Sequence, residues 1–194
     1  MAKIGIKGLT YASFSSGGEG GAITYSSGTK LDDYMIRADL TENRDDTKFY
    51  ADDHQIDADN ALTGVSLSLE LSNMTDTLEK NLLGYKAGTG NELNVTDADA
   101  PFVGVGFIRK ERFKGTATYH AYWVYKIQFS RDSDSSQTKG ESIDFQTETI
   151  SGNAVSVKLT SAGDDMFYSH IRSNSESDAR SWLDAKAGIS SGTT

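Results

Sequence analysis

Between Val65 and Ser72 every odd position is apolar and every even one polar: Val65, Leu67, Leu69 and Leu71 alternate with Ser66, Ser68, Glu70 and Ser72. Successive side chains of a β-strand point to opposite faces, so a period of two dictates a half-buried strand. The pattern recurs along the chain. Tyr119 to Phe129 puts Tyr119, Ala121, Trp123, Tyr125, Ile127 and Phe129 on one side, with His120, Lys126 and Gln128 on the other beside Tyr122 and Val124. Tyr34–Leu40, Ile143–Thr149 and Val155–Leu159 alternate likewise. Phe102 to Phe113 is apolar on both faces until Arg109-Lys110-Glu111-Arg112, which predicts a strand that leaves the core and projects into solvent. Pro101, the sole proline, precedes it where a missing N–H costs little. Leu67, Leu69, Leu71, Trp123, Tyr125 and Ile127 are the expected core.

Two segments read as helices. At about 76–83, Asp76-Thr77-Leu78-Glu79 resembles a cap with its reciprocal glutamate, Leu78 and Leu82 share a face, and Gly84 is placed to end the turn. At about 176–187, Ala179, Trp182 and Leu183 share a face, Arg180 and Asp184 stand at i, i+4, and Gly188 is the stop. Trp182 is expected to dock this helix onto a sheet. Many short strands, two short helices and frequent Gly/Ser/Asn/Asp turns predict a mainly β fold, a β-sandwich or partly closed barrel with the helices on its flank.

The 194 residues suit one domain over 1–194. Three departures from it are expected: a flexible N-terminal arm over about 1–21, centred on Ser15-Ser16-Gly17-Gly18-Glu19-Gly20-Gly21; an extended acidic hairpin or loop over about 43–62; and a C-terminal helix plus tail over about 175–194. Asp132 to Glu141 reads as a polar loop. The N-terminal stretch has no long apolar run and nowhere do eighteen apolar residues follow one another, so neither a signal peptide nor a membrane span is expected. With no cysteine, thiolate metal sites, disulfides and cysteine nucleophiles are excluded.

Net charge is −9, and all of the excess lies in the first hundred residues, which carry 17 acids against 8 bases. Such a surface repels nucleic-acid phosphates and makes ordinary DNA or RNA binding a poor fit. Acidic or neutral polar walls do suit a passage through which DNA must slide without sticking; the alternative is that the acids serve solubility. No catalytic template is met. The phosphate-binding loop is absent, and the glycines at 17–21 lack the dinucleotide spacing. His54, His120 and His170 are scattered, and His120 is expected in solvent on an exposed strand face. Asp57-x-Asp59, Asp97-x-Asp99 and Asp132-x-Asp134 lack the glycine and closing glutamate of a calcium loop. Neither enzyme activity nor a cofactor is expected.

At Phe49-Tyr50-Ala51-Asp52-Asp53, Gly64-Val65-Ser66-Leu67-Ser68-Leu69-Glu70-Leu71 and Leu82-Leu83-Gly84, the chain resembles the major tail tube proteins of long, non-contractile-tailed (siphovirus-type) bacteriophages, in the branch common in phages of Gram-positive bacteria. Phe102-Val103-Gly104-Val105-Gly106-Phe107, Tyr122 to Phe129, Thr138-Lys139-Gly140-Glu141 and Phe145 to Gly152 extend the likeness in the same order, over roughly residues 30–155. One departure is Thr149, where such proteins commonly have proline.

The resemblance implies six-membered rings stacked into a hollow tube, in a virion tail assembled in the host cytoplasm. The implied partners are further copies of the chain, a tape-measure protein in the lumen, initiator (distal) and terminator proteins at the ends, and DNA in transit, with no membrane contact. It offers Ser66, Ser68, Glu70, Ser72, Asp144, Gln146 and Glu148 as lumen-facing candidates, the alternative being that they face outer solvent. It offers Arg44, Asp45, Asp46, Lys48, Phe49, Tyr50, Asp52 and Asp53 as inter-ring contacts, the aromatics alternatively stapling the hairpin to its own core. Two rival readings remain: a monomeric β-sandwich binding a ligand such as carbohydrate on Tyr119, Tyr122, Trp123 and Tyr125, and a related tube from a contractile or secretion system.

Overall fold

The computed structural model describes residues 2–51, 54–131 and 147–189, with Ser27, 46–51 and 54–59 described in backbone only. The strands are β1 (Ala2–Ser16), β2 (Thr24–Leu31), β3 (Met35–Ala51), β4 (His54–Leu71), β5 (Lys86–Ala87), β6 (Leu93–Asn94), β7 (Val103–Phe113), β8 (Thr116–Arg131), β9 (Glu148–Ala154) and β10 (Tyr168–Ser173). Helix α1 (Asp76–Leu78) runs into a π-helical turn at Glu79–Leu83, and α2 is Glu176–Lys186. The fold is mainly β, as the alternation predicts. One sheet has the order β2-β1-β7-β8-β9-β4-β3, with β10 also pairing β8, while β5 and β6 pair apart. It curls enough to bring β1 near β3. It does not close into a barrel.

Curling encloses the larger core. Leu67, Leu69 and Leu71 of β4 are fully buried against Leu9 and Tyr11 of β1, Val103 and Val105 of β7, and Leu78 and Leu82 from the short helical turn. Each such side chain contributes about 1.5–3 kcal/mol on burial. On the reverse side of the sheet a smaller core joins Ala12, Ile108, Ala121, Trp123 and Tyr125 to Ala179, Leu183 and Ala187 of the α2 region.

The N-terminal segment is no flexible arm. β1 pairs β2 on one side and β7 on the other, and Leu9, Tyr11 and Ala12 are at most 1% exposed. The Gly/Ser run after it suggested mobility but serves geometry. Gly17, Gly18 and Gly20 have φ of +97°, +86° and +95°, and a Cβ on Gly17 would sit 2.1 Å from the Ala22 carbonyl oxygen. Only glycine adopts this tight return at low cost.

β8 departs from the simple alternation. Val105 faces Val124 and Val103 faces Ile127, so β8 carries one extra residue against β7. This bulge reverses the pleat. Trp123 and Tyr125 pack in the smaller core, whereas Ile127 and Phe129, expected on the same side, pack in the larger one. At the same point β8 changes partner, from β10 up to Val124 to β9 from Ile127 onward. A bulge at Met35–Arg37 acts similarly in β3: Met35 packs on the larger core and Ile36 is 45% exposed.

Both predicted helices are present. Thr75, rather than Asp76, caps the first, its hydroxyl accepting from the Leu78 N–H, and Gly84 ends the turn in the left-handed conformation at φ +78°. Ser175 caps α2 by accepting from the Asp178 N–H. Trp182 packs against the smaller core, but at its edge. It is half-buried with the Lys186 ammonium 5.4 Å from its ring centroid, while Ala179 and Leu183 are the residues buried under the helix.

Candidate functional site

β3 and β4 pair continuously from Met35 opposite Leu71 to Ala51 opposite His54, but β9 accompanies β4 only as far as Val65. From the Arg44–Leu62 pair outward the hairpin is therefore two-stranded. Eight residues of β3 at ~3.4 Å each carry it roughly 27 Å past the sheet. Its base is tied down. The Asn43 side-chain amide donates to the Ser66 hydroxyl at 2.8 Å, and the Thr63 hydroxyl donates to the Asn43 carbonyl at 3.0 Å. The Tyr168 hydroxyl donates to the Glu42 carboxylate at 2.7 Å, and Arg44 pairs with the same carboxylate at 2.9 Å. These bonds hold Glu42 below the usual carboxylate range and, by the converse effect of that carboxylate, push Tyr168 up to about 12. Of the inter-ring candidates, Arg44 and Asp45 have exposed side chains. Asp46, Lys48, Phe49 and Tyr50 lie on the projecting ribbon by backbone register, and Asp52 and Asp53 lie outside the described residues.

A second surface spans four strands. Opposite residues in antiparallel register share a face, so Asp39–Ser68–Ser151 and Thr41–Ser66–Asn153 form polar rows continued by Ser130 and Gln128 of β8. With Asp99 and Ala100 laid over its edge, this face bounds a groove of about 550 Å³. The Gln128 side-chain amide donates to the Ala100 carbonyl at 2.6 Å and fixes that edge. Ser66, Ser68 and Glu70 thus share one face, with Ser72 exposed at the end of the strand. Glu148 does not join them. It stands opposite Leu71, on the core side at its margin, where Arg131 bonds it at 2.9 Å and also bonds Glu79. β9 instead presents Thr149, Ser151 and Asn153 to the polar face. Asp144 and Gln146 lie outside the described residues.

A third feature was not legible in the sequence. His120 is 3% exposed, not solvated, and its Nε2 accepts from the Arg172 Nε at 2.6 Å. The Glu111 carboxylate lies 3.5 Å from the same nitrogen and is engaged by Arg109 at 2.9 Å. Glu111 is 6% exposed, so the charged end of β7 does not simply run into solvent. Burial, reinforced by Arg172, Arg109 and His170 and partly opposed by Glu111, holds His120 below its ordinary value. It is therefore a neutral acceptor at pH 7.

Of the four aromatics of the carbohydrate reading, Tyr119 is partly exposed, with the Lys7 and Lys110 ammoniums 5.9 and 5.6 Å from its ring centroid, and the other three are buried. Trp123 is fully buried, Tyr125 is 5% and Tyr122 9% exposed; Trp123 meets Tyr25 edge-on at 5.4 Å, and Tyr122 is stacked between Phe107 and His170. Among the described residues no group of three or more His, Asp or Glu is placed to hold a metal ion, and no helix is long and apolar enough to cross a membrane.

No protein-family model matches the chain, and no curated protein matches it significantly. What these surfaces can do is set by their own groups: a free two-stranded ribbon able to pair or pack, and a hydroxyl- and amide-rich face on which no patch of cations could grip a polyanion.

Proposed function

We propose that this chain is a structural subunit of the tail tube of a long, non-contractile bacteriophage tail, assembling with copies of itself into stacked six-membered rings around a channel that passes DNA. The observation that carries this reading is the β3–β4 ribbon. An isolated two-stranded hairpin is marginally stable in water, so a chain that extends one beyond its own core has a use for contacts that a neighbour supplies. The polar face of β3, β4, β9 and β8 supports the reading as a channel wall. Its hydroxyls and amides hydrate well, and Arg37 is neutralised by Asp39 at 2.7 Å, so phosphates meet little to hold them. In this role the wall consists of Ser66, Ser68 and Glu70 with Thr149, Ser151 and Asn153. No catalysis is assigned to the chain.

Negative-stain electron microscopy over a concentration series, with light scattering alongside, tests the proposal. Hollow rings or tubes of uniform diameter are expected. A monodisperse monomer at high concentration, persisting when tail-initiator proteins are added, overturns it.

A further inference from the structure

At the far end of β7 the chain reverses its charge. Lys110, Arg112 and Lys114 stand there, while Lys3 of β1, opposite Glu111 in the ladder, lies on the other face of the sheet from Lys110 and Arg112. None of these four cations makes an ion pair among the described residues. Glu111 is buried and committed to Arg109, and Lys3 lines a groove with Asp39 and Glu42. Phe113 is 54% and Ile4 51% exposed at the same place, and the Lys114 ammonium lies 5.5 Å from the Phe113 ring centroid. A tight turn with Lys114 at φ +47° and Gly115 at φ +87° fixes the tip. The result is a cationic hairpin tip carrying exposed apolar side chains.

The β3–β4 segment is its electrostatic complement by sequence: residues 44–59 include Asp45, Asp46, Asp52, Asp53, Asp57 and Asp59 against Arg44 and Lys48. Both lie beyond the same end of β9, whose last residue Ala154 faces Val65 of β4 and Ile127 of β8. We propose that the β7–β8 tip is the docking surface for the acidic β3–β4 ribbon of a second copy. This rests on the self-assembly reading and adds to it which surface receives the ribbon and by what force. A negatively charged chain of net −9 whose Lys110, Arg112 and Lys114 make no ion pair among the described residues presents at this tip a site for an anionic partner, and its own ribbon is the partner that self-assembly brings to it.

The test is charge reversal on each of the two surfaces. K110E/R112E/K114E and D45K/D46K/D57K, each checked for native melting, are compared with the wild type by sedimentation velocity and electron microscopy. Each variant alone is expected to weaken self-association by about tenfold or more, and mixing the two is expected to restore it, because each then supplies the charge the other lacks. Wild-type assembly that neither variant disturbs overturns this inference and leaves the tube reading standing. So does loss in both variants without rescue on mixing. Failure of the wild type to associate at all overturns both. A short single-stranded oligonucleotide that binds wild type but not K110E/R112E/K114E, with self-association unchanged, reassigns the tip to nucleic acid.

Discussion

Gly106 lies where β7 meets α2. A Cβ there would lie 2.6 Å from the Leu183 Cδ2, 2.7 Å from the Trp123 ring and 2.7 Å from the Tyr122 carbonyl oxygen. Gly106→Ala is therefore expected to destabilise the fold by about 1–3 kcal/mol, read by urea denaturation. Gly5→Ala, with nothing within 4 Å, is the control and stays within about 0.5 kcal/mol. His120 sets a second expectation at this scale. Its folded-state affinity for a proton is lowered by burial, so below its ordinary value near 6.5 the unfolded chain binds the proton more readily and stability falls with pH. Above that value the group contributes no slope. Denaturation midpoints between pH 7 and 5.5 should decline in wild type and flatten in His120→Gln, whatever the variant's absolute stability.

At the scale of elements, the β3–β4 ribbon and α2 make opposite demands on the core. Among the described side chains of residues 44–62, Leu62 is the one that packs against the larger core, at its edge. A chain with residues 44–62 replaced by a two-residue turn is expected to melt within a few degrees of wild type while losing assembly, measured by calorimetry and light scattering. Leu183→Ala is expected to cost about 2–5 kcal/mol because the leucine is 1% exposed, and Trp182→Ala less, since that ring is only partly buried at the edge of the core. Strand existence was legible because Val65–Ser72 alternates cleanly and Tyr119–Phe129 carries an apolar residue at every odd position. The bulges at Tyr125–Lys126 and Met35–Arg37 were not, since an extra residue leaves no mark in composition and only the partner strand reveals it. Residues 2–16 misled for another reason: Gly5, Gly8 and the serines depress apolar content in a strand whose stability comes from two neighbours distant in sequence. The polar wall was legible for Ser66, Ser68 and Glu70, but Glu148 was misassigned because parity within one strand does not say which face meets the core.

For the whole molecule, two electrostatic effects oppose each other on association. A net charge of −9 repels further copies, while under the docking proposed above the cations of the β7 tip attract them locally. At low salt the long-range repulsion acts over a Debye length of about 30 Å or more, and at high salt the short-range attraction is also screened. Assembly should accordingly peak at intermediate ionic strength, a profile that light scattering over a salt series would record; a monotonic rise would show that screening of repulsion alone governs it. β8 also matters at this scale. It is bonded to β7 along one side and to β10 and then β9 along the other. Mechanically it is a spine. A pull along its axis loads those ladders in shear, so that many hydrogen bonds must fail together, whereas a pull across it peels them one at a time. A shell of such subunits is stiffest in the directions its β8 strands run, and the angle at which each copy sets β8 becomes a material property of whatever it builds.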